Sequence, residues 1–130
     1  MGGEGDDVSR VFVFGSNLLG IHGAGAALFA KRNHGAVQGV GEGLRGNSYA
    51  LPTKKTPYVC MGLEDVRGHV ETFKAHARAN PAINYQVTAV GTGRAGFSVA
   101  QIGPMFSDAP DNCELCVEFE PYRKANPARR

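Results

Sequence analysis

The chain is short of the features that mark membrane, secreted or nucleic-acid-coating proteins. No apolar run approaches the roughly 20 residues that a membrane helix needs. The opening stretch Met1-Gly2-Gly3-Glu4-Gly5-Asp6-Asp7 is acidic and glycine-rich, so it has neither the basic nor the apolar part of a secretory signal. Asp6 stands where a myristoylation motif needs Ser or Thr. Charge of one sign is scarce too. The formal net charge is +2, which gives no bulk electrostatic reason to expect nucleic acid as a partner. Lys124, Arg129 and Arg130 form a small basic tail that reads as a solvated terminus. The three cysteines are an odd number. Without an export signal they point to a reducing, cytoplasmic setting with no membrane partner. Cys113-Glu114-Leu115-Cys116 has no second Cys pair and no H-x-x-x-H beside it. Two strand-edge cysteines explain it better than zinc or redox chemistry does, and no metal or cofactor is expected.

Glycine is what the chain has in excess. There are 18 in 130 residues, nearly twice the roughly 7% average. They gather at 15–25, 35–46 and 91–96, between apolar segments. That distribution suits loops whose backbone comes close to something, rather than a flexible linker. The length fits one domain, and 42% hydrophobic with 20% charged residues is ordinary for a globular protein.

Periodicity divides the chain further. Residues 1–9 read as a flexible leader. Val11-Phe12-Val13-Phe14 is a buried strand ending at Gly15. Ala24 to Arg32 is a helix, closed by Asn33-His34-Gly35 with the glycine in the left-handed cap. Residues 35–47 have few large apolar side chains and read as irregular. Ser48 to Leu51 is a strand stopped by Pro52. Leu63, Val66, Val70, Phe73 and Ala77 fall at helical spacing, predicting an amphipathic helix over about 63–79 ended by Asn80-Pro81. His69 and His76 then form a solvent-facing stripe on that helix. Tyr85 to Val90 is a strand, Val99 to Phe106 a short helix around Ile102, and Cys113 to Phe119 the last strand. Pro121 onward reads as a flexible tail, leaving one domain over 10–120. Strands alternating with helices predict an α/β layered fold with a mostly parallel, mixed sheet. Ligands of such sheets sit at the carboxyl ends of strands, and two of the glycine clusters follow strands at those ends.

The first loop, Gly15-Ser16-Asn17-Leu18-Leu19-Gly20-Ile21-His22-Gly23-Ala24-Gly25, joins a strand to a helix. Free N–H groups and a positive macrodipole at a helix start let a phosphate dock, and small residues let it come close. A tight turn without a ligand has the same local pattern. A dinucleotide fingerprint would need a third glycine where Leu28 stands. The second loop, Val90-Gly91-Thr92-Gly93-Arg94-Ala95-Gly96-Phe97, also follows a strand. Arg94 adds a charge there. Phe97 is able to stack on a base, or to pack inward as core. His22 is a loop histidine that either meets the ligand or stands exposed.

These motifs resemble those of macro domains. Asn17-Leu18-Leu19-Gly20 followed by Gly23-Ala24-Gly25 looks like their first ligand loop, and Gly91-Thr92-Gly93 with Gly96-Phe97 like their phosphate-holding second loop. Gly23 to Arg32 and Leu51-Pro52-Thr53-Lys54-Lys55 resemble the terminal ADP-ribose protein glycohydrolase branch. Phe14 to Leu18, Ser48 to Lys54 and Pro104-Met105-Phe106 resemble the compact macro-like phage non-structural proteins. The likeness runs from about Val11 to Phe119.

The resemblance implies a single macro-like three-layer domain that binds ADP-ribose or a related NAD-derived nucleotide. Asn17, His22, Gly23, Ala24, Gly25, Thr53, Gly91, Thr92, Gly93, Arg94, Ala95, Gly96 and Phe97 would be its binding residues. Asn17 would hold the distal ribose by its amide. An ADP-ribosylated protein or nucleic acid is the implied partner, and bacterial host cytoplasm the implied compartment if the chain is phage-encoded. In the glycohydrolase branch a lysine attacks the anomeric carbon, and Lys54 matches it. A strand-end surface charge is the plainer account of Lys54. The assisting acid of that branch falls near Ala95, and the aspartate of the other hydrolytic branch near Ala26 and Ala27. Neither alanine moves a proton; His22 or Glu42 would have to stand in. Binding, hydrolysis through Lys54, and a structural role without a ligand are the three functions to distinguish.

Overall fold

A computed structural model describes residues 10–124. The proposed leader 1–9 and most of the basic tail lie outside the described residues. The elements are β1 (Arg10–Asn17), α1 (Gly25–Asn33), β2 (Gly43–Arg45), β3 (Ser48–Thr56), β4 (Val59–Cys60), α2 (Leu63–Ala79), β5 (Asn84–Val87), α3 (Val99–Ile102) and β6 (Cys113–Leu115). Single turns of 3-10 helix follow at Gly103–Phe106 and Glu120–Tyr122.

Sheet order is β2-β3-β1-β5-β6, with β4 also pairing β3, which makes six strands. β3, β1, β5 and β6 run parallel; β2 and β4 are antiparallel to β3. The expected α/β class with a mixed sheet is what forms. β1 is central because its side chains are apolar on both faces. Val11 and Val13 join Tyr49, Leu51, Tyr85 and Val87 against Val66, Val70, Phe73 and Ala77 of α2. Phe14, with Phe12 packed beside it, joins Ala27, Ala30, Ala36 and Ala50 on the α1 side. The two sets alternate along β1, so α1 and α2 cover opposite faces and the domain has three layers. Small residues on the α1 side let that helix lie close to the sheet.

The chain goes from β1 outward to β3, then crosses back over β1 to β5. The carboxyl end of β1 is therefore a topological switch point, where the connections on either side diverge and leave a crevice.

Several boundaries differ from the sequence-based expectation. β3 does not stop at Pro52. Ser16 opposes Pro52 in continuous register, and the ladder shifts by one residue only beyond it, where Asn17 opposes Lys54 and Thr53 is passed over. Residues 43–45 form a strand because β3 offers them an edge. β5 ends at Val87, and Thr88 instead bonds Val13 O through both its N–H and its hydroxyl (3.2 and 2.7 Å). The last strand ends at Leu115. The chain stays folded beyond Pro121: Arg123 donates to Ala109 O at 3.2 Å and to Cys113 O.

α2 has the expected span, with Glu64 and Asp65 in its first turn and His76 and Arg78 in its last, each matching the helix dipole. Its histidines are not a free stripe. His69 meets Glu42 at 2.8 Å, and His76 shares a 2.8 Å hydrogen bond with Tyr85. Lys74 is 2% exposed. Its ammonium reaches Met105 O at 2.7 Å, Asp108 at 2.6 Å and Glu71 at 2.8 Å. Three acceptors match its three hydrogens, which is what lets a buried charge stand. α2 is thereby tied to the turn after α3.

The hydrogen bond from Lys74 holds the Asp108 carboxyl below its ordinary value of 3.8, against the opposing effect of partial burial. A carboxyl whose folded pKa lies below its unfolded one adds stability above the unfolded value and loses it as pH falls through the folded one. Thermal melts from about pH 5 to about pH 2 should therefore show the wild type losing more stability than Asp108→Asn. Parallel curves for the two proteins would remove this pair from the acid response.

Candidate functional site

A cavity of about 540 Å³ opens at the switch point, within the roughly 300–1,000 Å³ of small-molecule sites. Its floor comes from the carboxyl ends of three adjacent strands: Gly15 to Asn17 on β1, Thr53 and Lys54 on β3, and Thr88 to Val90 after β5. One wall is Ile21 with Gly23 to Ala27, the end of the first loop and the start of α1. The opposing wall is Gly91, Gly93, Arg94 and Ala95 of the second loop. Pro57 and Tyr58, at the β3–β4 turn, complete the mouth.

The α1 wall presents unpaired backbone N–H groups. Ala24 is the N-cap, no side chain caps the helix, and its first turn has no acidic residue. Leu28 N–H to Ala24 O, at 3.2 Å, is the first bond of the helix. The N–H groups of Gly25, Ala26 and Ala27 therefore lack intrahelical acceptors and lie on the cavity wall. A Cβ built on Gly23, Gly25 or Gly93 would meet nothing within 4 Å. These glycines leave open space where a ligand can approach the backbone.

The charged residues lining the cavity are Lys54 and Arg94, both cations. Neither forms an ion pair among the described residues. Lys54 Nζ donates to Pro57 O at 2.6 Å. Among the described residues, the cavity lining contains no carboxylate and no histidine.

Of the residues expected at the site, Asn17, Gly23, Ala24, Gly25, Thr53, Lys54, Gly91, Gly93, Arg94 and Ala95 come together here. Thr92, Gly96 and Phe97 shape the second loop from outside the cavity. The Thr92 hydroxyl bonds Ala89 O at 2.7 Å, Gly96 N–H bonds Gly93 O at 3.0 Å, and Phe97 N–H bonds Gly91 O at 3.0 Å. The Phe97 ring packs on the core, because a turn closed this way aims it inward. Asn17 lines the cavity, but its amide bonds both the C=O and the N–H of Ile21 (3.0 and 3.1 Å). Its first task is to fold the loop.

His22 is wholly buried and does not line the cavity. It lies edge-on to Phe14, with 5.3 Å between ring centroids, and Nε2–H donates to Val40 O at 3.1 Å. Val40 belongs to the middle glycine cluster, which turns out to be a buttress. Gly39 N–H bonds Gly20 O at 2.8 Å, His22 N–H bonds Gln38 at 3.1 Å, and Ser16 Oγ donates to Gly41 O. Gly41 runs so close to the carbonyls of Asn17 and Leu18 that a Cβ there would collide with both. Glu42 turns to His69 instead of the cavity, so it does not replace the missing acid.

No protein-family model matches the chain, and no curated protein matches it. Burial pushes the Cys113 thiol up to about 12 and raises Cys116 as well, which disfavours the thiolate that zinc or redox chemistry needs. No metal-binding cluster of His, Cys, Asp or Glu occurs among the described residues. No helix there is long and apolar enough to cross a membrane.

Sequence reasoning missed Ser16, Ile21, Thr88, Ala89, Pro57 and Tyr58 as cavity residues. The Thr-Pro-Tyr triplet right after Lys54-Lys55 was the available signal for the last two.

The two kinds of glycine should separate in thermal denaturation. Gly41→Ala puts a methyl group onto two carbonyl oxygens, so a loss of about 1–3 kcal/mol is expected. Gly93 needs no left-handed backbone and faces open space, so Gly93→Val should stay within about 0.5 kcal/mol of wild type. Equal destabilisation by the two would contradict the division into buttress and cavity wall.

Proposed function

We propose that the protein binds ADP-ribose, or a closely related NAD-derived nucleotide, in this crevice. The observation that carries the reading is the cavity lining: two backbone-rich loops face each other, and every charged side chain between them is a cation. The α1 N-terminus suits one phosphate, and Gly91, Gly93 and Arg94 suit a second. The volume accommodates more than a phosphate pair, leaving room for sugars. The macro-domain likeness of the loops points the same way.

Calorimetric titration tests it. ADP-ribose should bind at least about tenfold more tightly than AMP, since a mononucleotide reaches only one of the two anion walls, a difference of about 1.4 kcal/mol. Gly93→Val should remove most of that affinity while staying folded. Equal affinities, or wild-type binding by Gly93→Val, would contradict the two-wall site.

Hydrolysis of an ADP-ribosyl bond is the second reading, favoured by the position of Lys54 on the cavity floor opposite Asn17. A lysine nucleophile without a partner acid forgoes the about 10²–10⁴-fold that general acid–base help supplies. Under this reading turnover is slow, and a ribose adduct accumulates on Lys54. Intact-protein mass spectrometry after saturation with ADP-ribose or an ADP-ribosylated peptide detects the adduct, with Lys54→Ala as control. Finding neither adduct nor released product at saturation leaves Lys54 a binding residue only.

A further inference from the structure

Tyr58 is 93% exposed, yet it lines the mouth of the crevice. Its backbone is held: Tyr58 N–H donates to Thr56 Oγ1 at 3.0 Å, Thr56 pairs with Val59 across the hairpin, and Lys54 Nζ grips Pro57 O at 2.6 Å. The turn thus presents an aromatic ring that is left almost wholly uncovered by the described residues. Leu18 N–H bonds Lys54 O at 3.0 Å, which ties the loop after β1 to the same hairpin, and Ile21 of that loop, 40% exposed, shares the cavity lining with Pro57 and Tyr58. The anion-binding walls, α1 and the second loop, lie elsewhere around the cavity.

We infer that Tyr58 is a stacking platform for a planar, uncharged ring of the ligand, so that the crevice takes a nucleotide and not a bare phosphate or sugar phosphate. The inference rests on the proposed nucleotide-binding function. A phosphate chain seated on the two glycine walls leaves its remaining groups to the Lys54–Tyr58 side. The flat face of Tyr58, with Ile21 and Pro57 on the same lining, favours a heterocycle. A cationic group is disfavoured because Lys54 stands beside it and the lining contains no carboxylate.

The chain has four tyrosines and no tryptophan, so its intrinsic emission is tyrosine emission. Tyr49 and Tyr85 are buried in the α2-side core and Tyr122 packs under Gly103, which leaves Tyr58 as the tyrosine a ligand at this mouth would quench. The experiment titrates wild type, Tyr58→Phe and Tyr58→Ala with ADP-ribose and with NADH, by calorimetry and by tyrosine emission. Tyr58→Ala should weaken binding of at least one ligand by about 5- to 150-fold. Tyr58→Phe should keep its affinity while losing the ligand-induced quench. Weakening of both ligands assigns the adenine to Tyr58; weakening of NADH alone assigns the dihydronicotinamide. Unchanged affinity of Tyr58→Ala for both, or an identical quench in wild type and Tyr58→Phe, overturns the inference and leaves the crevice function standing. Failure of wild type to bind either ligand overturns that function and this inference together.

Discussion

Everything at the site depends on how β1 ends. The strand is hydrogen-bonded to a parallel neighbour on each edge and packed by a helix layer on each face. Its last residues therefore have little freedom. At Gly15 a Cβ would press on the Thr53 hydroxyl and the Gly91 backbone, so β1, β3 and the second loop converge on a single point. The crevice exists because the connections diverge where the strands converge.

A helix N-terminus offers anion binding only if the loop feeding it keeps its shape. The 36–42 segment secures that shape here. It contributes backbone acceptors to Ser16 and His22, and its glycines permit contact closer than a side chain would allow. The fold therefore uses glycine for opposite purposes. At Gly41 the missing side chain lets protein approach protein. At Gly23, Gly25 and Gly93 it leaves a vacancy within the cavity wall.

The crevice is lined by cations although the chain has no bulk positive field. The net charge is only +2, and the carboxylates at Glu42, Glu71 and Asp108 are matched with basic partners away from the cavity. Lys54 and Arg94 stand apart from those pairs. The local excess of positive charge thus arises from where the charges pair, not from how many there are.

Much of this was legible in the sequence. The apolar run of β1, the helical spacing from Leu63 to Ala77 and the glycine cap at Gly35 fix local structure by short-range rules of burial and backbone geometry. The α/β order follows from their alternation, and most of the two-loop residues were identifiable because glycine density reports close approach. Tertiary structure decided the rest, since each remaining point turns on contacts between distant segments. β3 runs through Pro52 because β1 continues to pair with it on both sides of the proline. His22 is buried because Val40 supplies its acceptor 18 residues away. Phe97 turns inward because Gly91 closes its turn, while Tyr58 faces out because no distant segment among the described residues covers it. A sequence shows that glycines cluster; only the packed chain separates those that touch protein from those that face open space.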